Sequence, residues 1–203
     1  MIGFVIGNGE SRTGYNLERL RSYGPIYGCN ALYRDFIPDV LIAVDKKMID
    51  EILDKDVNTE FIYRQKDNEG LLYLKSTRNN QVYVDKGYAS GATAVSLMCA
   101  RYYSDLTKVF LIGFDIYSTT GKINNIYKGT PCYASPDRAP TYPVNWIEKL
   151  ARVFIANRHI MFYRVHDNKN LKVPEWLDID NIRYITYKEL DLILERGGVN
   201  NGC

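Results

Sequence analysis

The sequence predicts an α/β fold: a single Rossmann-like domain with a mostly parallel central sheet and a long Tyr-rich lid loop. Three observations carry that expectation. Short apolar, β-branched runs alternate with helix-periodic segments along the chain, the pattern of strand–helix crossovers. No internal repeat, low-complexity tract or Pro/Gly/Ser linker divides the 203 residues, so one domain over 1–203 is expected. Several apolar runs end in small or polar residues, as strands do where a parallel sheet presents its carboxyl ends to a ligand.

The elements follow in order. Ile2–Ile6 is a short, fully apolar strand ending in Gly7-Asn8-Gly9. Tyr15–Tyr23 sets Leu17 and Leu20 among charges, which reads as an amphipathic helix stopped by Gly24-Pro25. Ile26–Cys29 and Val40–Val44 read as strands. Lys46–Leu53 reads as a helix with Met48, Ile49, Ile52 and Leu53 on one face, and Phe61–Tyr63 as a strand. The polar, Tyr-rich stretch 65–86 offers hairpin strands at Leu71–Leu74 and Gln81–Val84. Gly91–Tyr103, capped from Ser90, is a small-residue helix that must be buried against the sheet.

Val109–Ile112 is the most hydrophobic strand and is expected at the sheet centre. From about 115 to 143 the chain carries Tyr117, Tyr127, Tyr133 and Tyr142, and it has the length of a lid or binding loop. Val144–Asn157 is a helix, Ile160–Val165 and Ile182–Ile185 are strands, and Tyr187–Glu195 is a terminal helix. A tail over 197–203 follows, fraying from Val199 to Cys203.

Composition excludes several classes. Charged residues at 25% and aromatics at 13% exclude a disordered chain. Lys plus Arg total 26 against 24 Asp plus Glu, so there is no polybasic character and nucleic acid is an unlikely partner. Arg64, Lys66, Lys75 and Arg78, interleaved with Tyr63 and Tyr73, read as a solvated hairpin. The longest uncharged run, Gly87–Ala100, falls short of the ~18–20 residues a membrane span needs. Met1–Gly7 lacks the basic start of a signal peptide, so a cytoplasmic protein is expected. Cys29, Cys99, Cys132 and Cys203 lie far apart, and His159 and His166 are the two histidines. That supplies no zinc spacing, and no metal site is expected.

Candidate binding residues sit at the strand ends: Gly7, Asn8, Gly9 and Ser11 after the first, Asn30 after the second, Asp45 after the third and Asp115 after Val109–Ile112. Ser90 and Gly91 join them at a helix start. Glycines let backbone N–H groups approach an anion, and a helix N-terminus adds a favourable dipole. Asn or Asp at a strand end can bind ribose hydroxyls or base edges. Taken singly, a Gly-x-Gly is a tight turn and a lone Asp a helix cap; together they read as a mononucleotide cradle. Arg12, Lys122, Lys128 and Arg138 flank it, as phosphate partners or as solvated charges. The dinucleotide fingerprint fails because Arg12 occupies the third glycine position and Asn30 replaces the acidic residue. No P-loop and no G-x-S-x-G elbow occur. Group transfer from a nucleotide-activated donor, or nucleotide binding without chemistry, is left.

The runs Val5-Ile6-Gly7-Asn8-Gly9-Glu10-Ser11, Tyr27-Gly28-Cys29-Asn30, Ala43-Val44-Asp45, Ala89-Ser90-Gly91 and Leu111-Ile112-Gly113-Phe114-Asp115-Ile116-Tyr117 resemble, in order, the motifs of bacterial sialyltransferases that build lipooligosaccharide. They also resemble the related MptE-like Rossmann domains, which include an archaeal 6-hydroxymethylpterin diphosphokinase and stand-alone phage-encoded members. The resemblance implies that Asn8, Gly9, Ser11, Asn30, Ser90, Gly91 and Asp115 hold a cytidine nucleotide. It also implies that two lid tyrosines bond to the departing phosphate: Tyr117 by motif and Tyr127 by spacing. Fixed O–H donors would stabilise the leaving oxygen without a metal.

One departure stands out. The family's basic His precedes the helix matching Val144–Asn157, and that position falls near Tyr142, while His159 and His166 read as a helix-end and a loop residue. Three functions follow as expectations. The first is a CMP-sugar type glycosyltransferase without an essential metal or cofactor, its acceptor open. The second is an ATP-dependent diphosphokinase-like enzyme with Mg²⁺ shared by Asp45 and Asp115 on neighbouring strands. The third is a non-catalytic nucleotide-binding or interaction module, which the missing histidine motivates. A homo-oligomer through the Gly91–Tyr103 helix and exposed tyrosines is a further expectation.

Overall fold

A computed structural model of the chain describes residues 1–140 and 143–198. Among the described residues nine strands form one sheet: β1 (Ile2–Ile6), β2 (Ile26–Cys29), β3 (Val40–Ala43), β4 (Glu60–Lys66), β5 (Leu72–Ser76), β6 (Val82–Val84), β7 (Lys108–Ile112), β8 (Met161–Val165) and β9 (Ile182–Ile185). Their spatial order is β6-β5-β4-β3-β2-β1-β7-β8-β9. All neighbours are parallel except β4–β5 and β5–β6, which form the antiparallel extension at one edge. The fold is Rossmann-like α/β, as the alternation of runs predicts.

Alternation along each buried strand feeds two separate cores. Val5, Tyr27, Ile42, Val109 and Leu111 face one layer, packed with α2 (Ser90–Arg101) and α3 (Val144–Ala156). Phe4, Ile6, Leu41, Ala43, Phe110 and Ile112 face the other, covered by α1 (Lys46–Asp54) and α4 (Tyr187–Gly198). Apolar residues fill both faces because helices cover both, which is why these strands read as continuous rather than alternating runs.

Four details differ from expectation. Tyr15–Tyr23 forms only a short 3₁₀ turn at Leu17–Leu20, capped by the Asn16 side chain on the Glu18 amide. Two apolar residues suffice to anchor a turn on the core but not to nucleate a helix. β7 is interior but not central: β2 holds the middle place, and β7 lies between β1 and β8. A 3₁₀ turn at Asn30–Arg34 enters from a left-handed Asn30 (φ 53°), a conformation Asn tolerates. β4 runs on to Lys66 because β5 pairs with it as far as Leu72.

Between Gly113 and Pro140 there is no regular helix or strand. α4 reaches Gly198, so the first two residues of the expected tail are helical; 199–203 lie outside the described residues. Among the described residues, no helix is long and apolar enough to cross a membrane.

Candidate functional site

The strands β1 to β4 step outward in one direction, and β7 to β9 in the other. The order therefore switches between β1 and β7, where open α/β sheets leave a crevice beyond the carboxyl ends. A cavity of about 380 Å³ occupies this place. Gly7, Asn8, Gly9, Asn30, Asp45, Ser90, Gly91 and Asp115 all line it. Ser11 does not reach the wall but bonds to a residue that does.

The exits of β1 and β7 are interlocked. The Gly7 amide donates to Ile112 O at 2.7 Å and the Gly9 amide to Gly113 O at 2.9 Å. Gly113 takes φ 71°, turning the chain so that Asp115 points back across β1. There the Ser11 amide donates to Asp115 Oδ2 at 2.9 Å, and the Ser11 hydroxyl donates to Oδ1. Gly9 is required by this approach: a Cβ there would lie 2.4 Å from Asp115 Cγ.

Asn8 is 8% exposed; its Nδ2 donates to Tyr133 Oη at 2.9 Å. Its Oδ1, like Asn30 Oδ1, is buried with no hydrogen-bond partner among the described residues. Two orphaned acceptors on one cavity wall mark a place where an N–H or O–H of a ligand would be satisfied. At the start of α2 the first helical bond is Thr93 N to Ala89 O, so the preceding amides of Ser90, Gly91 and Ala92 take no intrahelical partner and find none among the described residues, at a helix N-terminus on the wall. Ser90 Oγ accepts the Val44 amide at 3.2 Å, tying this helix start to the end of β3.

The tyrosines are distributed differently from the expectation. Tyr133 lines the cavity from the irregular segment, its hydroxyl also accepting the Ala31 amide at 3.4 Å. Burial, and then the neighbouring Cys29 thiol, push the Tyr133 phenol above its ordinary range, so it stays protonated and able to donate. Tyr127 is buried away from the wall, bonded to Asp35 and to Arg12 (2.7 Å). Tyr117 also lies off the wall and donates to Glu175 at 3.0 Å. Tyr142 lies outside the described residues.

The charges around the site also differ. Arg12 is buried, its Nε donating to Gly7 O at 2.9 Å and its guanidinium paired with Asp35 at 2.8 Å. Lys128 pairs with Glu10 at 2.5 Å and Lys122 with Asp137 at 2.8 Å. No Lys, Arg or His is among the described residues lining the cavity, whose charged members are Asp45 and Asp115. β1 and β2 separate β3 from β7. Asp45 and Asp115 therefore do not follow neighbouring strands: the strands they follow are three spacings apart. No group of three or more metal-type side chains occurs among the described residues.

His166 follows β8 off the wall, its Nδ1 accepting the Asn168 amide at 3.0 Å; burial, and then Arg164, push its pKa down. His159 contacts Tyr103 O from the segment entering β8, at the opposite end of the sheet. Two other features escaped the sequence. Asn124 Oδ1 accepts the Glu10 amide at 2.8 Å, and Asn8 O accepts the Ile126 amide at 2.9 Å, holding the irregular segment on the β1 exit. The paired Asn124-Asn125 was the available signal. Compared with family models, curated proteins and solved structures, the chain matches none.

Proposed function

We propose that this cavity binds a nucleotide bearing a single phosphate, of the CMP-sugar type, and that the protein is a glycosyltransferase acting without an essential metal. The observation that carries the reading is the pair of buried carboxamide oxygens of Asn8 and Asn30, unpartnered among the described residues, beside the N-terminus of α2. The acceptors suit the N–H and O–H donors of an amino-bearing base and a ribose. The helix amides suit a phosphate.

The absence of cationic side chains on the described wall argues for one phosphate rather than two or three. A triphosphate brings several negative charges that amides and a helix dipole alone balance poorly beside two carboxylates. The ATP-dependent alternative is disfavoured too by the separation of Asp45 and Asp115. Tyr133 takes the part that Tyr117 and Tyr127 were expected to play. Its protonated hydroxyl would donate to the leaving phosphate oxygen as the glycosidic bond breaks.

A second reading, nucleotide binding without turnover, is favoured by the lack of a histidine on the described wall to accept the acceptor's proton. Thermal shift against CMP, UDP, GDP and ATP with and without Mg²⁺ tests the binding. At a hundredfold excess over Kd, CMP would add about 2.7 kcal/mol of stability. For a chain of this size that raises Tm by roughly 5–10 °C. No shift with any nucleotide at millimolar concentration would refute both readings. Steady CMP release from a CMP-sugar, lost in Asp115→Ala, would establish turnover; binding with no release would leave the second reading.

A further inference from the structure

We propose that Arg164 is a positioning residue that aims the Asp115 carboxylate at the cavity by holding the backbone of the β7 exit turn. β8 is an interior strand, and Arg164 within it is only 1% exposed. A guanidinium there is an anomaly in a run otherwise made of Met161, Phe162, Tyr163 and Val165. No carboxylate forms an ion pair with it among the described residues. Its donors instead go to backbone carbonyls: Nε to Phe114 O at 2.8 Å, Nη2 to Asp115 O at 2.9 Å, and Nη1 to Leu171 O.

Burying a charge this way costs free energy that an apolar residue would not. What the three bonds achieve is geometric. The exit turn runs through two left-handed residues, Gly113 (φ 71°) and Ile116 (φ 58°), the second a β-branched residue that resists this conformation. The carbonyls held by Arg164 lie between them. A planar fork of five donors can fix two successive carbonyls and a third from the segment after β8; an ammonium cannot. With the turn fixed, Asp115 reaches Ser11 and lies against Gly9. Burial pulls the Arg164 pKa below its usual value, and the nearby Asp115 charge opposes that shift.

The consequence for affinity rests on the nucleotide reading above, so the experiment has two arms. The first uses no ligand: hydrogen exchange of the Ser11 amide, which donates to Asp115, and of the Gly9 amide, which donates to Gly113. In Arg164→Met both exchange about tenfold faster or more, while the amides of β1 and β2 keep their protection. Arg164→Lys, which keeps the charge, gives an intermediate effect and serves where the Met variant fails to fold. The second arm measures CMP affinity in a cycle with Asp115→Ala. Arg164→Met weakens binding about tenfold with Asp115 present, Arg164→Lys weakens it by less but more than about threefold, and each costs less than about twofold once Asp115 is gone.

An equal loss in both backgrounds, or unchanged exchange at Ser11 and Gly9, would overturn the proposal. If the wild-type protein binds no CMP, the nucleotide reading fails. The exchange arm still decides the role of Arg164.

Discussion

Gly9→Ala probes the geometry of the site with a single methyl group. Gly9 has φ −65° and ψ 148°, a conformation that alanine adopts freely, so the substitution introduces no backbone strain. The added Cβ would stand 2.4 Å from Asp115 Cγ and 2.6 Å from each carboxylate oxygen. Ordinary carbon contacts begin near 3.5 Å, so the carboxylate must move by about 1 Å. That movement breaks at least one of the two bonds from Ser11. A hydrogen bond to a charged group contributes about 1.5–3 kcal/mol. The expected loss of stability is therefore about 2 kcal/mol, a fall in Tm of roughly 4–8 °C.

The CMP affinity of the Ala variant should fall by about tenfold, the equivalent of ~1.4 kcal/mol. Calorimetric titration and thermal melting read the two effects. In an Asp115→Ala background the clash has no partner, and Gly9→Ala should cost less than ~0.5 kcal/mol. Equal costs in the two backgrounds, or a Gly9→Ala protein with wild-type Tm and affinity, would refute this account of the β1–β7 interlock.

Three further outcomes are expected. Tyr133→Phe leaves the Asn8 Nδ2 group and the Ala31 amide without their acceptor, and should destabilise the protein by about 1–3 kcal/mol in a urea melt; Tyr117→Phe, off the wall, should leave CMP affinity unchanged. Glu60→Ala removes the carboxylate partner of Arg101, whose two bonds to Glu60 are both 2.8 Å, which keeps its bond to the Tyr83 hydroxyl at 2.6 Å and which is a quarter exposed. The loss should be about 2–3 kcal/mol, below the 3–5 of a fully buried pair, visible as a Tm roughly 5–10 °C lower. In acid, Glu189 reports on α4. It and Thr186 form a reciprocal capping box, and the Thr186 amide first, then Lys169 and the Thr186 hydroxyl, hold the carboxylate at about 2. A depressed carboxylate stabilises the fold above its unfolded value, and that stabilisation disappears as pH falls from about 4 to 2. Acid melts of Glu189→Ala should therefore lose less over this range than wild type; parallel curves would refute the capping assignment.

The strand ends were legible because each apolar run stops at a residue of different chemistry: Gly7, Asn30, Asp45, Gly113. The cavity position follows from those stops and from the parallel order. Lateral order was not legible. Nothing in Val109–Ile112 says that β1 rather than β3 lies beside it, and the notion of Asp45 and Asp115 as neighbours failed on that point. Spacing along an irregular segment proved a poor guide as well. Tyr127 and Tyr133 are equally aromatic and their rings lie 5.7 Å apart, but the hydroxyl of the first meets Arg12 and that of the second meets Asn8 on the cavity wall. Arg12 looked like a phosphate partner because charge suggests exposure; its partners Asp35 and Tyr127 come from distant sequence. Arg164 stood in the sequence as a charge inside an apolar strand, a signal read only once its carbonyl partners were placed.

The interlock joins Gly9 to Gly113 and Ser11 to Asp115 across roughly a hundred residues of chain. During synthesis, therefore, the first strand emerges with only β2 available to pair with, and its other edge waits until β7 clears the ribosome. The crevice cannot take shape on a nascent chain shorter than about residue 120, and a chain truncated before β8 would carry every described wall residue but no Arg164. Ligand capture by stalled chains of increasing length should accordingly begin late and abruptly, rather than growing with each strand added.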